Sequence, residues 1–299
     1  MQKLILLMLV VVVASCAGKK DLATNNCRHN PNFIRSLSGF NPSRSFFSTS
    51  EIKTMGLVLG ENAGTADRPQ LRYYQHPSWR TGGWLAPIQI DREGNIFTAP
   101  APFISVLDNP VKNQNTLFKV DTHTGVMEEF MRLPFPDSLT TNNPYGIIGL
   151  AYLCDVGVLY VSTILGSDRF AVRGGIYAID IKSRQVIDKH LGIDAMGMGI
   201  SSVTGTRKLY FGNGRNSSIY SVPLTSNGKF DGSEIVEFSL DGLGARGDDK
   251  VRRIRTDDSG NLTVYGIEFN YNLIAPREKQ ETVYNFNYNS ENKSWQLAK

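Results

Sequence analysis

The feature that most constrains this chain is an internal repeat. Residues 86–99, 149–162, 199–212 and 253–266 share one grammar: an alternating apolar strand, a tight turn containing glycine, and a second alternating strand. The turn glycines Gly94, Gly157, Gly205 and Gly260 recur at intervals of 63, 48 and 55 residues. Period-two alternation on both sides of such a turn specifies a β-hairpin. Each hairpin is followed by a second one, at residues 117–130, 176–187, 219–224 with 235–238, and 283–288 with 295–297. Two successive hairpins make a four-stranded antiparallel sheet, which cannot bury both of its faces alone. Sheets repeated at this spacing stack on one another as the blades of a propeller. Residues 46–85, with Leu57, Leu59, Leu71, Tyr73 and Tyr74, have room for one further blade and part of another. The expected fold is therefore all-β, a single β-propeller of four-stranded blades over residues 46–299. Six blades are expected, with five or seven as the alternatives.

The N-terminus carries a different signal. Lys3 precedes an unbroken apolar run from Leu4 to Val13, and the small residues Ala14 and Ser15 stand immediately before Cys16. A run of about ten apolar residues is too short for a spanning helix and fits an export leader. The stretch Val13-Ala14-Ser15-Cys16 resembles the lipobox of bacterial lipoprotein signal peptides, with valine at the usual leucine position. The resemblance implies that residues 1–15 are a signal peptide and that Cys16 is lipidated. An ordinary cleaved secretory signal and a retained apolar N-terminal helix are the alternatives, and every version sends the chain out of the cytoplasm. Ala17 and Gly18 follow with no aspartate, which the same resemblance reads as an outer-membrane lipoprotein, facing the periplasm or the cell surface. Lys19-Lys20-Asp21 is similar to the surface-export signals of Bacteroidota lipoproteins, and Asp137-Ser138-Leu139 to their O-glycan acceptor. Residues 16–45, rich in Asn, Ser, Arg and Pro, read as the lipidated N-terminus and a tether.

Composition removes several classes of function. Lys and Arg number 32 against 28 Asp and Glu, a net charge of +4, too small for a protein that neutralises many nucleic-acid phosphates. Arg252, Arg253 and Arg255 fall in a strand-like segment and read as a solvated strand face. Cys27 and Cys154, in an oxidising compartment, either pair with each other or remain two thiols. No CxxC or HExxH spacing occurs, and His29, His76, His123 and His190 are scattered singly, so no zinc site is expected. No GxSxG nucleophile elbow occurs either. The adjacent carboxylates Glu128-Glu129, Asp248-Asp249 and Asp257-Asp258 read as solvated strand or turn residues, since neighbours on a strand point to opposite faces.

From Gly149 to Ile181 and from Gly199 to Leu224, a glycine-aliphatic strand start leads to Leu159-Tyr160-Val161 or Leu209-Tyr210-Phe211, then to Ile176-Tyr177 or Ile219-Tyr220. This phrasing resembles the senescence-marker-protein/gluconolactonase and NHL-type propellers, over roughly residues 86–299. Enzymes of that family hold a divalent cation at the channel mouth through one Glu, two Asn and one Asp. The resemblance places Glu61, within Gly60-Glu61-Asn62, at the glutamate. It places Ile148 and Met198 at the asparagines and Arg252 at the aspartate. Apolar side chains supply no oxygen donor and a guanidinium repels a cation, so neither a metal nor another cofactor is expected.

Tyr73, Tyr74, Trp79 and Trp84 lie in the densest aromatic stretch, whose rings either contact a sugar or protein partner or fill a blade core. Asn143, Tyr145, Arg169, Arg246 and Arg252 are the further candidate contacts, the loop residues among them facing a channel mouth. The expected function is a non-enzymatic binding or scaffold module for an envelope protein complex or a surface ligand. The alternatives are a lactonase-like hydrolase with a rebuilt site and a glycan-binding accessory lipoprotein.

Overall fold

The computed structural model describes residues 27, 29–50, 54–65, 67–68, 70–102, 106–135, 143–273 and 280–298. Cys16, the leader and Asp137-Ser138-Leu139 lie outside the described residues. Among the described residues no helix is long and apolar enough to cross a membrane.

Five antiparallel sheets follow one another along the chain, each a simple meander. Blade 1 has three strands: β1 (Ser45–Ser48), β2 (Val58–Asn62) and β3 (Leu71–Tyr74). Blade 2 comprises β4 (Leu85–Ile90), β5 (Ile96–Pro100), β6 (Thr116–Val120) and β7 (Met127–Arg132). Blade 3 comprises β8 (Ile147–Leu153), β9 (Val158–Thr163), β10 (Gly175–Asp180) and β11 (Gln185–Leu191). Blade 4 comprises β12 (Ala195–Ser201), β13 (Lys208–Asn213), β14 (Ser218–Pro223) and β15 (Ile235–Ser239). Blade 5 comprises β16 (Lys250–Thr256), β17 (Leu262–Ile267), β18 (Thr282–Asn289) and β19 (Ser294–Leu297). The first strands of blades 2 to 5 pack against one another and form the inner wall.

The predicted hairpins are all present, and the four recurrent turn glycines explain why. Gly94, Gly157, Gly205 and Gly260 have φ of +87°, +72°, +84° and +83°, a left-handed conformation in which a side chain is strained. Two of these turns are also tied by an aspartate. Asp91 Oδ1 accepts from the backbone N–H of Glu93 and Asn95, and Asp257 Oδ1 from those of Ser259 and Asn261.

The expectation of six blades is overturned: the described residues form five, and the first has three strands rather than four. Residues 46–85 yield one sheet only. After β3 the chain meets Pro77, which has no N–H for a further ladder. Pro77–Arg80 winds instead into a 3-10 turn capped by the His76 side chain, whose Nδ1 accepts from the Ser78 N–H (3.2 Å).

Four apolar layers hold the blades together, each between successive blades. Leu57 and Leu59 of blade 1 meet Leu85, Ile96 and Val120 of blade 2, with Trp79 fully buried among them. Phe97, Leu117 and Phe130 meet Leu150, Leu159 and Val161. Ala151, Tyr160 and Ile176 meet Met198, Leu209 and Phe211. Tyr210 and Ile219 meet Val251, Ile254, Val264 and Phe286. A closed ring of five blades needs a fifth layer, between blades 5 and 1, and none is present among the described residues.

The chain upstream of blade 1 is packed against the sheets. Phe33 and Ile34, in a 3-10 turn at Asn32–Ser36, are buried in the layer between blades 1 and 2. The N–H groups of Asn32 and Phe33 donate to Thr122 Oγ1 (3.1 Å) and Thr122 O (2.8 Å) in the β6–β7 turn. Cys27 is disulfide-bonded to Cys154, in the β8–β9 turn. In an antiparallel meander these turns lie at one end of the blades, which we term the lower rim. The connections between blades 2 to 5, and the loops joining the second and third strands of each, lie at the opposite, upper rim.

Candidate functional site

The inner strands share one irregularity. Each carries a β-bulge, one extra residue against its neighbour, near the upper rim: at Ala86-Pro87, Ile148, Met196-Gly197 and Arg252. A bulge bends the strand and re-aims the side chain it frees. These are the positions from which four blades can converge on one point, and they carry a proline, an isoleucine, a methionine and an arginine. The sequence placed Met198 rather than Met196 in this set. Met198 is instead paired with Phe211 and buried between blades 3 and 4, two residues below the bulge. Glu61, the remaining candidate, is fully buried and faces the Arg44 guanidinium, 3.0 Å from its Oε1. The residues present do not fit a divalent cation. Among the described residues no group of three or more His, Cys, Asp or Glu could hold one.

What does gather at the upper rim is a line of rings and guanidinium groups. The Tyr145 ring lies 5.7 Å from Phe269, and Phe269 lies 5.4 Å from Tyr271. The Arg215 guanidinium sits 5.5 Å from the Tyr271 ring. A methyl group placed on Gly214 would stand 3.2 Å from Phe269, 3.4 Å from Met196 Sδ and 3.5 Å from the Tyr271 hydroxyl, so these three side chains converge. The Tyr145 hydroxyl donates to Asn272 O (3.3 Å). Burial pushes its pKa up to about 12, against the opposing charge of Arg252. Tyr145 is therefore a neutral hydrogen-bond donor at ordinary pH, within the field of the exposed Arg252. Arg169 stacks on the exposed Phe170, 4.5 Å from its ring centre, and its carbonyl accepts from Arg215 Nη1 (3.2 Å).

The line is held by Asp194, a buried carboxylate. Its Oδ1 accepts from Ser167 Oγ (2.5 Å) and Gly174 N (3.2 Å), and its Oδ2 from Arg215 Nε (3.0 Å) and the Tyr271 hydroxyl (2.6 Å). One side chain thus ties the loops of blades 3, 4 and 5 together. Burial, reinforced by the bond to Asp194, raises the Tyr271 pKa and keeps it a donor. Asp249 occupies the same place one blade later, immediately before the inner strand, and accepts from the Tyr284 hydroxyl (2.8 Å) and from Arg246. Burial alone would raise the Asp249 pKa. The hydrogen bonds from Arg246 and Tyr284 outweigh it and hold the carboxyl below its ordinary value.

The structure sorts the sequence candidates. Tyr145 and Arg252 both lie at the rim, close enough for the charge of Arg252 to act on the Tyr145 hydroxyl, with Arg169 on another rim loop. Arg246 belongs to the Asp249 tie and also donates to Thr282 Oγ1 (3.0 Å). Asn143 is buried, with its Nδ2 donating to Ile164 O (2.8 Å) and its Oδ1 accepting from Tyr145 N (2.9 Å), so it shapes the loop rather than meeting a ligand. Trp79 is a correction to any reading of the aromatic stretch as a binding platform. It is completely buried, its Nε1 donating to Gly125 O (2.7 Å), and it is ringed by Phe33, Phe47 and Tyr74. Tyr74 is a half-buried part of that cluster, whereas Tyr73 points outward on the opposite face of β3. Trp84 lies apart, its Nε1 3.3 Å from Asp108 Oδ2. Asp194, Arg215, Phe269 and Tyr271 were not singled out from sequence. An aspartate directly before the inner strand in two successive blades was the available signal.

No protein-family model matches this sequence, and no curated protein matches it by sequence. Among solved structures, a luciferin-regenerating enzyme superposes with a TM-score of 0.52 at 11% identity, covering 93% of this chain and 77% of that one. A glucose dehydrogenase gives a TM-score of 0.44 at 19% identity, over 80% of this chain and 76% of that one. The soluble aldose sugar dehydrogenase of Escherichia coli gives 0.43 at 14% identity, over 80% and 76%. The first of these likenesses supports the propeller fold and carries nothing further.

Proposed function

We propose that this chain is a binding or scaffold propeller of a bacterial outer membrane, anchored through lipid on Cys16, whose upper rim engages an anionic surface of an envelope protein partner. The observation that carries the reading is the set of inner-strand bulges. Where a metal hydrolase of this architecture needs converging oxygen donors, Pro87, Ile148, Met196 and Arg252 stand instead. Rings and guanidinium groups backed by a rigid tie suit recognition, because aromatic and arginine side chains anchor interfaces.

The N-terminal path supports an orientation. Cys16 precedes Cys27 by eleven residues, a reach of at most about 40 Å. Cys27 is fixed to Cys154 at the lower rim. A lipid on Cys16 would hold the lower rim near the membrane and turn the upper rim toward a partner.

A photo-crosslinking residue at position 145 in cells tests this, with position 182 on the lower rim as the control. A discrete protein adduct from position 145 and none from position 182 is the expected result. Lactone turnover accompanied by stabilisation with calcium would replace this reading with the hydrolase. Recovery of unlipidated chain in the soluble fraction would remove the anchor.

A further inference from the structure

Blade 5 has two unlike faces. Val251, Ile254, Leu262, Val264, Tyr284 and Phe286 point into the layer against blade 4. The alternate positions point away from it, and among the described residues no blade covers them. By strand register, Arg253, Tyr265 and Val283 form one row across β16, β17 and β18, and Arg255, Thr263 and Asn285 form the next. Asn287 and Gln296 continue the face onto β19. Adjacent strands stand about 4.8 Å apart, so the four strands make a shelf about 14 Å across. Val283 is 53% exposed and Arg253, Arg255, Asn285 and Asn287 are all exposed.

The shelf is charged in one sense. The Arg253 and Arg255 guanidinium groups lie 4.0 and 5.4 Å from the centre of the Tyr265 ring, flanking it with two cations. Arg252 and Arg253 share one carboxylate, Glu281, at 3.3 and 3.1 Å. Arg255 has no ion pair among the described residues. Partial burial lowers the Arg253 pKa, and the neighbouring Arg255 and Arg252 add to that effect against Glu281, as expected where positive charge is in excess. A protein sheet docks on such a face through apolar side chains, and this one offers few. Guanidinium groups, side-chain amides, a hydroxyl and one aromatic ring are the groups that meet carboxylate or sulfate together with ring hydroxyls.

We propose that the outward face of blade 5 binds an acidic polysaccharide, with Arg253 and Arg255 on its anionic groups, Tyr265 against a sugar ring, and Asn285 and Asn287 on hydroxyls. This face meets the rim assigned above at Glu281, which pairs with both Arg252 and Arg253, while Arg255 and Tyr265 lie beyond it, so Arg255 and Tyr265 on the face and Arg169 at the rim tell the two assignments apart. Affinity electrophoresis and titration calorimetry of the purified chain would use polygalacturonate, dextran sulfate, neutral dextran and polyglutamate as probes. The wild type is expected to bind polygalacturonate or dextran sulfate, whichever carries the favoured anion, and neither of the other two, with affinity falling as salt rises. Loss of two charge-assisted contacts in Arg253→Ala/Arg255→Ala should weaken binding more than about tenfold. Tyr265→Ala should weaken it and Tyr265→Phe should not, while Arg169→Ala at the rim leaves it unchanged. Melting curves of each variant separate lost binding from lost fold. Absence of binding to both anionic polysaccharides, or binding that survives the double arginine variant, overturns the proposal. Equal or tighter binding of polyglutamate overturns it too, and assigns the face to an acidic polypeptide.

Discussion

Removing the disulfide tests how the N-terminal segment is held. Cys27 and Cys154 are separated by 127 residues, so the bond closes a loop that takes in all of blades 1 and 2. In the chain-entropy account, cross-linking a loop of that length stabilises the fold by about 5 kcal/mol. That figure is an upper bound here. Phe33 and Ile34 remain buried and Thr122 still accepts two backbone hydrogen bonds, so part of the restraint survives without the sulfur link. A net loss of about 3 kcal/mol is expected for Cys27→Ser/Cys154→Ser, or roughly 6–12 °C in melting temperature for a chain of this size. Scanning fluorimetry of wild type and variant, each with and without dithiothreitol, gives four curves. The reduced wild type should match the variant, and the variant should ignore the reductant. A wild-type curve moved by less than about 2 °C on full reduction would refute the reasoning, because no loop entropy would then be at stake.

Three further outcomes follow from the same structure. Trp79→Ala should cost about 3–5 kcal/mol by emptying the layer between blades 1 and 2, read from the denaturant midpoint at unchanged slope. Stability should hold above about pH 5 and fall below about pH 4, because the depressed carboxyl of Asp249 must be protonated as pH drops through its folded value; Arg246→Ala, which removes the group holding that value down, should lower stability at neutral pH by about 2–4 kcal/mol and flatten the acid limb. Millimolar calcium should leave the melting temperature unchanged, whereas a micromolar site would add about 4 kcal/mol, and lactone hydrolysis should be undetectable.

The hairpins were legible because alternation and a left-handed glycine are local facts: Gly94, Gly157, Gly205 and Gly260 announce four of them in any context. The blade number was not, because it depended on what residues 46–85 do after Tyr74, and that rests on Pro77 ending the run and His76 capping a turn. The site was half legible. Tyr145 and Arg252 stand out as loop and bulge residues, but Asp194 and Tyr271 meet across 77 residues of sequence, a contact that no local pattern encodes. Trp79, which the sequence left open between a ligand contact and a blade core, was ambiguous for a related reason. A tryptophan among polar neighbours reads the same whether its partners are a ligand or Phe33, Phe47 and Tyr74, and only the packing of distant segments decides.

That the described residues form no fifth layer is a property of the sequence as much as of the packing. Along β16, β17 and β18 every residue facing blade 4 is apolar or small or bonds to that blade, as Thr256 does to Ile200 O (3.0 Å). The residues facing away include Arg253, Arg255, Thr263, Tyr265, Ile267, Val283, Asn285 and Asn287. A face bound for the interior of a closed ring would have to bury two guanidinium groups and two amides, at a cost of several kcal/mol for any charge left without a partner. On the face of blade 1 turned away from blade 2, Phe46, Leu71 and Tyr73 stay 41%, 53% and 50% exposed alongside Ser48 and Asn62, none of which would neutralise a guanidinium. The two end blades are therefore written for water or for a ligand rather than for each other. Replacing Arg253, Arg255 and Asn285 with valine would remove that cost, and the same face would then become an apolar sheet surface that drives self-association, detectable by light scattering.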